Sequence, residues 1–73
     1  MTAEGIAVVL NGEPAVLAPG TTVADVIGAA GVAPEARGVA VALDGEVVRR
    51  STWAETVIQP GARVEVLTAV AGG

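Results

Sequence analysis

The sequence has no cysteine, no histidine, no lysine, no phenylalanine and no tyrosine. Each absence removes a class of function. Without cysteine there is no disulfide framework and no thiolate nucleophile. Without histidine there is no imidazole base and no zinc site of the usual donor set. The four basic residues are all arginine against eight acidic ones, for a net charge of −4. Nucleic-acid binding needs a concentrated positive stripe, and Arg49-Arg50 is too small to be one. A lysine-free chain cannot be joined to further copies of itself through side-chain amines. No apolar run is long enough to span a membrane. The start, Met1-Thr2-Ala3-Glu4-Gly5, lacks the basic region of a signal peptide, so a cytoplasmic location is expected. Trp53 is the only aromatic residue, so the core must be assembled from Val, Ile, Leu and Ala. With 73 residues the chain is one domain, and it has little room for a deep active-site cavity.

Turn and cap signals divide the chain. Ile6-Ala7-Val8-Val9-Leu10 reads as a strand, and Asn11-Gly12 as a tight hairpin turn, because both residues tolerate positive φ. Pro14 to Ala18 forms the return strand, with Pro14 marking an edge or a strand entry. Pro19-Gly20 breaks the pattern. Thr22 is placed as a helix N-cap, with Asp25 completing a variant capping box. Val23, Val26, Ile27 and Ala30 fall on one face, which predicts a helix of about three turns. Gly31 suits the position just past the helix end, and Pro34 prevents resumption. Val39 to Leu43 is apolar throughout and predicts a buried central strand. Asp44-Gly45 gives a second hairpin, with Glu46 to Arg49 returning. Ser51 is expected to cap a short helical turn through Trp53, Ala54 and Glu55. Pro60-Gly61 fits the centre of a type II turn. A last strand follows, in which Val64 and Val66 alternate with Arg63 and Glu65.

This order predicts an α+β fold: a small mixed sheet with one main helix packed across one face, the first and last strands adjacent and parallel. That is the β-grasp, or ubiquitin-like, architecture, over residues 1–69. Residues 70–73 form a flexible Gly-Gly tail. Ala69-Val70-Ala71 thins the side chains, and Gly72-Gly73 removes them. Backbone without Cβ atoms can thread a narrow channel and approach a ligand closely. The functional reading is that the Gly73 carboxylate is the reactive group. The bland reading is a frayed terminus.

The chain resembles the ThiS family of small sulfur carriers of thiamine (thiazole) biosynthesis. The resemblance covers nearly the whole length. It is carried by Asn11-Gly12-Glu13, Thr22-Val23-Ala24-Asp25-Val26, the run from Val39 to Val48, Arg50, Trp53-Ala54, Gly61 and the ending Ala69-Val70-Ala71-Gly72-Gly73. Arg49 and Ala62 depart from the family pattern, where many relatives carry Pro and Asp. The resemblance implies that an adenylating, ubiquitin-activating-like enzyme uses ATP and magnesium to convert the Gly73 carboxylate to an acyl-adenylate. A sulfur donor protein then displaces AMP to leave a thiocarboxylate, and thiazole synthase takes the sulfur. The protein would be a co-substrate rather than an enzyme, with no permanently bound cofactor, no metal site, and no nucleic-acid or membrane partner.

The chemistry requires such activation. An α-carboxyl ionises near about 3.5, so at neutral pH it is an inert carboxylate. Extended residues from Val70 to Gly73 reach roughly 13 Å, enough to enter a partner while the domain stays outside. Val64 and Val66 should face the helix, leaving Glu65, Leu67 and Ala69 outward. Leu67 is the candidate docking anchor, with Ala69, Glu65 and Arg50 beside it and Val9 a lesser candidate. Arg50 either pairs with a partner carboxylate or is solvated. Trp53 reads as core or as a lid over the sheet edge, Asp25 as a cap, and Glu13, Glu46 and Glu55 as solvated charges. Two other functions fit the same tail: the small sulfur-carrier subunit of molybdopterin synthase, and a ubiquitin-like modifier joined to target lysines. A binding module with an unreactive tail is the remaining alternative.

Overall fold

The computed structural model describes residues 5–33 and 37–68. Strand β1 (Ile6–Leu10) is followed by β2 (Glu13–Leu17), helix α1 (Val23–Ala29), β3 (Val39–Leu43), β4 (Glu46–Val48), a 3-10 helix (Arg50–Glu55) and β5 (Arg63–Thr68). The five strands form one sheet in the order β2-β1-β5-β3-β4. β1 and β5 are parallel, and the other neighbours are antiparallel. This is the ubiquitin-like β-grasp arrangement.

Local chemistry sets the turns. Leu10 pairs with Glu13 and Leu43 with Glu46, so each hairpin loop has two residues. Asn11 and Gly12 have φ of 51° and 85°, and Asp44 and Gly45 have 51° and 87°. Positive φ at both central positions is the type I′ turn, whose twist matches that of the strands it joins. Pro14 lies on the edge strand β2, where its missing N–H costs no ladder bond. The Ala62 N–H donates to the Gln59 carbonyl at 3.1 Å, closing the Pro60-Gly61 turn.

The helix begins as its sequence predicts. The Asp25 N–H donates to Thr22 Oγ1 at 3.2 Å, and the Thr22 N–H donates to Asp25 Oδ2 at 3.0 Å. Together they form a reciprocal capping box. Segment 56–58 holds the same entry: the Val23 N–H donates to the Thr56 carbonyl and the Ile58 N–H to the Thr21 carbonyl, both at 2.9 Å. The helix is shorter than expected, seven residues rather than three turns. Ala30 is already the C-cap, and the Gly31 and Val32 N–H groups turn back onto the Gly28 and Ile27 carbonyls. That Schellman closure needs a left-handed residue after the cap, and Gly31 supplies it with φ 82°. Pro34 lies outside the described residues.

The core is Val8, Val23, Val26, Ile27, Val41, Trp53, Ile58, Ala62 and Val64. It lies between α1 and one face of the sheet. The Trp53 ring is core, and its indole N–H donates to the Val48 carbonyl at 2.9 Å, which satisfies the one polar atom the ring buries.

Two further expectations do not hold. β3 is interior in the sheet but only half covered: Val41 is buried while Ala40 is exposed. One helix covers one face, and the alanines on the other face are too small to need cover. Ser51 does not cap the 3-10 helix. The N-cap is Arg49, in extended conformation and without a side-chain cap bond. Ser51 already lies inside the first turn; Thr52 Oγ1 instead donates to the Arg49 carbonyl at 3.0 Å.

Candidate functional site

β5 is the last of the described strands and lies at the centre of the sheet. Val64 is fully buried and Val66 half-buried against α1. By alternation Arg63, Glu65 and Leu67 face away from the helix. Leu67 is 62% exposed and pairs with Ala40 on β3. Glu65, exposed, pairs with Ala42, which pairs in turn with Val47 on β4. These residues share the open face of the sheet with Val9, which is half-buried.

The expected outward placement of Glu65 and Leu67 is therefore what the fold shows. Ala69, Val70, Ala71, Gly72 and Gly73 lie outside the described residues. Arg50 is not gathered onto the same face. It sits in the 3-10 helix that packs beside α1, with its guanidinium 4.8 Å from the centroid of the Trp53 ring. That is cation–π distance, and it gives Arg50 a role within the chain rather than as a purely solvated charge.

Three further features shape this region. Val47 and Val16, 76% and 73% exposed, extend the apolar character of the open face. Both alternate with inward-facing neighbours, so strand periodicity assigned to β2 and β4 finds them. The third feature is a pair of clamps on β5. Asn11 Oδ1 accepts from the Val66 N–H at 2.8 Å, and the Asn11 N–H donates to the Val64 carbonyl at 2.8 Å. On the opposite edge Asp44 Oδ1 accepts from the Arg63 N–H at 2.9 Å, and the Asp44 N–H donates to the Arg63 carbonyl at 2.8 Å. The first residue of each hairpin turn thus grips the central strand with both backbone and side chain. β5 is held along both edges up to Val66.

Among the described residues no group of three or more acidic residues is arranged to hold a metal ion. No helix among them is long and apolar enough to cross a membrane. What the site offers chemically is a rigid central strand, an open face with Leu67 at its end, and the chain that follows Thr68.

Comparison with known proteins bears on the same region. No curated protein matches the chain at a significant level. Two solved structures of a thiamine biosynthesis protein from Geobacter metallireducens do match. The crystal structure, of ThiS, is 33% identical over 93% of this chain and 100% of that one, with a TM-score of 0.75. The solution NMR structure is 33% identical over 93% of this chain and 88% of that one, with a TM-score of 0.76. The profile of the ThiS family matches residues 5–73, a span that includes β5 and the Gly-Gly end. The chain belongs to the ThiS family.

Proposed function

We propose that this ThiS-family chain is a sulfur carrier of thiamine biosynthesis that works through the carboxylate of Gly73. An adenylating enzyme uses ATP and magnesium to make the acyl-adenylate, releasing pyrophosphate. Sulfur from a donor protein displaces AMP, and the resulting thiocarboxylate delivers sulfur to thiazole synthase. The chain itself is a co-substrate. Its ATP requirement puts the reaction in the cytoplasm. Domain 1–69 supplies the docking surface and residues 70–73 supply the reach.

The observation that carries this reading is the ThiS-family match running through residue 73 on a fold whose central strand is the last one. A carboxylate needs a good leaving group before sulfur can replace its oxygen, and a mixed anhydride with AMP provides one. Tethering the thiocarboxylate to a folded domain raises its effective concentration in the partner's site. Leu67 is the proposed anchor beside the tail, with Glu65 on the same strand and Ala69 next but one in sequence. Arg50 is the weaker candidate, given its place over Trp53.

ATP–pyrophosphate exchange by the adenylating enzyme tests the first step. The full chain should stimulate exchange and a chain lacking Gly73 should not. Exchange that survives the deletion means the reactive carboxylate is elsewhere.

A further inference from the structure

β5 outlasts its neighbour on one side. β3 borders it from Val64, opposite Leu43, to Thr68, opposite Val39. β1 pairs with it only at Arg63 and Val64, because the chain turns away at Asn11-Gly12. The Asn11 amide then supplies one more rung by accepting from the Val66 N–H. Strand alternation directs the Val66 carbonyl and the Thr68 N–H to this same edge. Among the described residues no strand lies there. The sheet therefore has a notch in line with β1, where the next two backbone groups of β5 face outward from the ladder.

The notch has walls. On the helix side an apolar cleft of about 210 Å³ is lined by Leu10, Leu17, Val26, Ala29, Ala30 and Val66, with Asn11 at its rim. An engineered apolar cavity of about 150 Å³ takes a benzene ring, so the cleft has room for one aliphatic side chain. On the open-face side a shallow depression is lined by Asn11, Gly12, Glu65, Val66 and Leu67. An extended segment laid in the notch would send alternate side chains to these two sides. The face it meets carries Glu65, on a chain of net charge −4, and adjoins Leu67 at the root of the tail.

We propose that this notch takes an extended segment of the adenylating enzyme as an added strand beside Val66 and Thr68. The segment seats one aliphatic side chain in the cleft and sets a basic one opposite Glu65. It rests on the carrier reading above for the identity of the partner. Main-chain bonds to a strand edge with a pocket for an alternate side chain are a general mode of peptide recognition. The acidic balance of the chain favours a basic partner over a second copy, which would bring like charge against itself.

The test is residue-resolved amide exchange on the full chain, alone and saturated with the cognate adenylating enzyme. It is paired with binding of Ala29→Leu, which fills the cleft from a helix position that favours leucine. The Thr68 amide should exchange about tenfold or more slowly in the complex, and Ala29→Leu should weaken binding about tenfold. An adenylate formed normally while the Thr68 amide stays unprotected overturns the notch and leaves the carrier reading intact. Protection that grows with concentration in the chain alone, with a dimer mass, assigns the notch to a second copy and also overturns it. If no adenylate forms, the carrier reading fails and the notch assignment falls with it. Should Ala29→Leu lose its fold, the exchange of Thr68 in the unaltered chain decides alone.

Discussion

The side-chain oxygen of Asn11 accepts a hydrogen bond from the backbone N–H of Val66 at 2.8 Å, across 55 positions of sequence. It joins the first turn of the chain to the strand that leads into the tail. Asn11→Ala removes this acceptor and places an alanine at φ 51°. A net hydrogen bond contributes about 1 kcal/mol, and left-handed backbone costs a non-glycine residue about 1–2 kcal/mol. The expected loss is about 2 kcal/mol in urea denaturation. Asn11→Asp keeps the acceptor and tolerates the backbone, so it should lose less than half of that. Equal losses in the two variants would show that the clamp contributes nothing.

Thr22 and Asp25 cap α1 reciprocally, so their effects should not add. Thr22→Ala is expected to cost about 1 kcal/mol. Asp25→Ala should cost a similar amount, and the double variant less than the sum. Thermal unfolding of the four chains measures this, and strict additivity would mean the two residues act independently.

Ile27 is buried to 1% exposure in the centre of the core. Ile27→Ala should cost about 2–5 kcal/mol. A core of this size rarely supplies more than about 3–5 kcal/mol of net stability. The variant should therefore be largely unfolded at room temperature by circular dichroism. A cooperative, near-native transition would show that the helix–sheet core has more reserve than its burial implies.

Leu67 is exposed and Val64 is not. Leu67→Glu should change stability by less than about 0.5 kcal/mol while weakening partner binding about tenfold, the scale of one interface residue that matters. Calorimetric titration with the adenylating enzyme reads the binding and urea denaturation reads the fold. Full-strength binding would remove Leu67 as an anchor.

What the sequence made legible was local. Asn11-Gly12, Asp44-Gly45, the Thr22/Asp25 box and Gly31 each specify a backbone conformation through their own chemistry, and each stands where expected. Alternation along β5 gave Val64 and Val66 as inward and Glu65 and Leu67 as outward, as the fold has them. The clamps of Asn11 and Asp44 were not legible, because a side chain bonding to distant backbone leaves no mark on neighbouring residues. The half-covered state of β3 was also hidden. A run such as Val39-Ala40-Val41-Ala42-Leu43 is apolar whether one face is covered or two, and only the single helix decides it. Ser51 misled because a hydroxyl near a helix start caps only from the extended position, which Arg49 occupies. The stacking of Arg50 on Trp53 depends on where the 3-10 helix begins, which composition does not fix.

Whether Gly73 carries the sulfur is read by intact-mass analysis. The full chain is incubated with the adenylating enzyme, ATP, magnesium and a sulfur source, then weighed whole and as C-terminal fragments. One oxygen should be replaced by sulfur, located in the fragment ending at Gly73 and absent when that residue is deleted. An unchanged mass, or sulfur found on any other fragment, would contradict it.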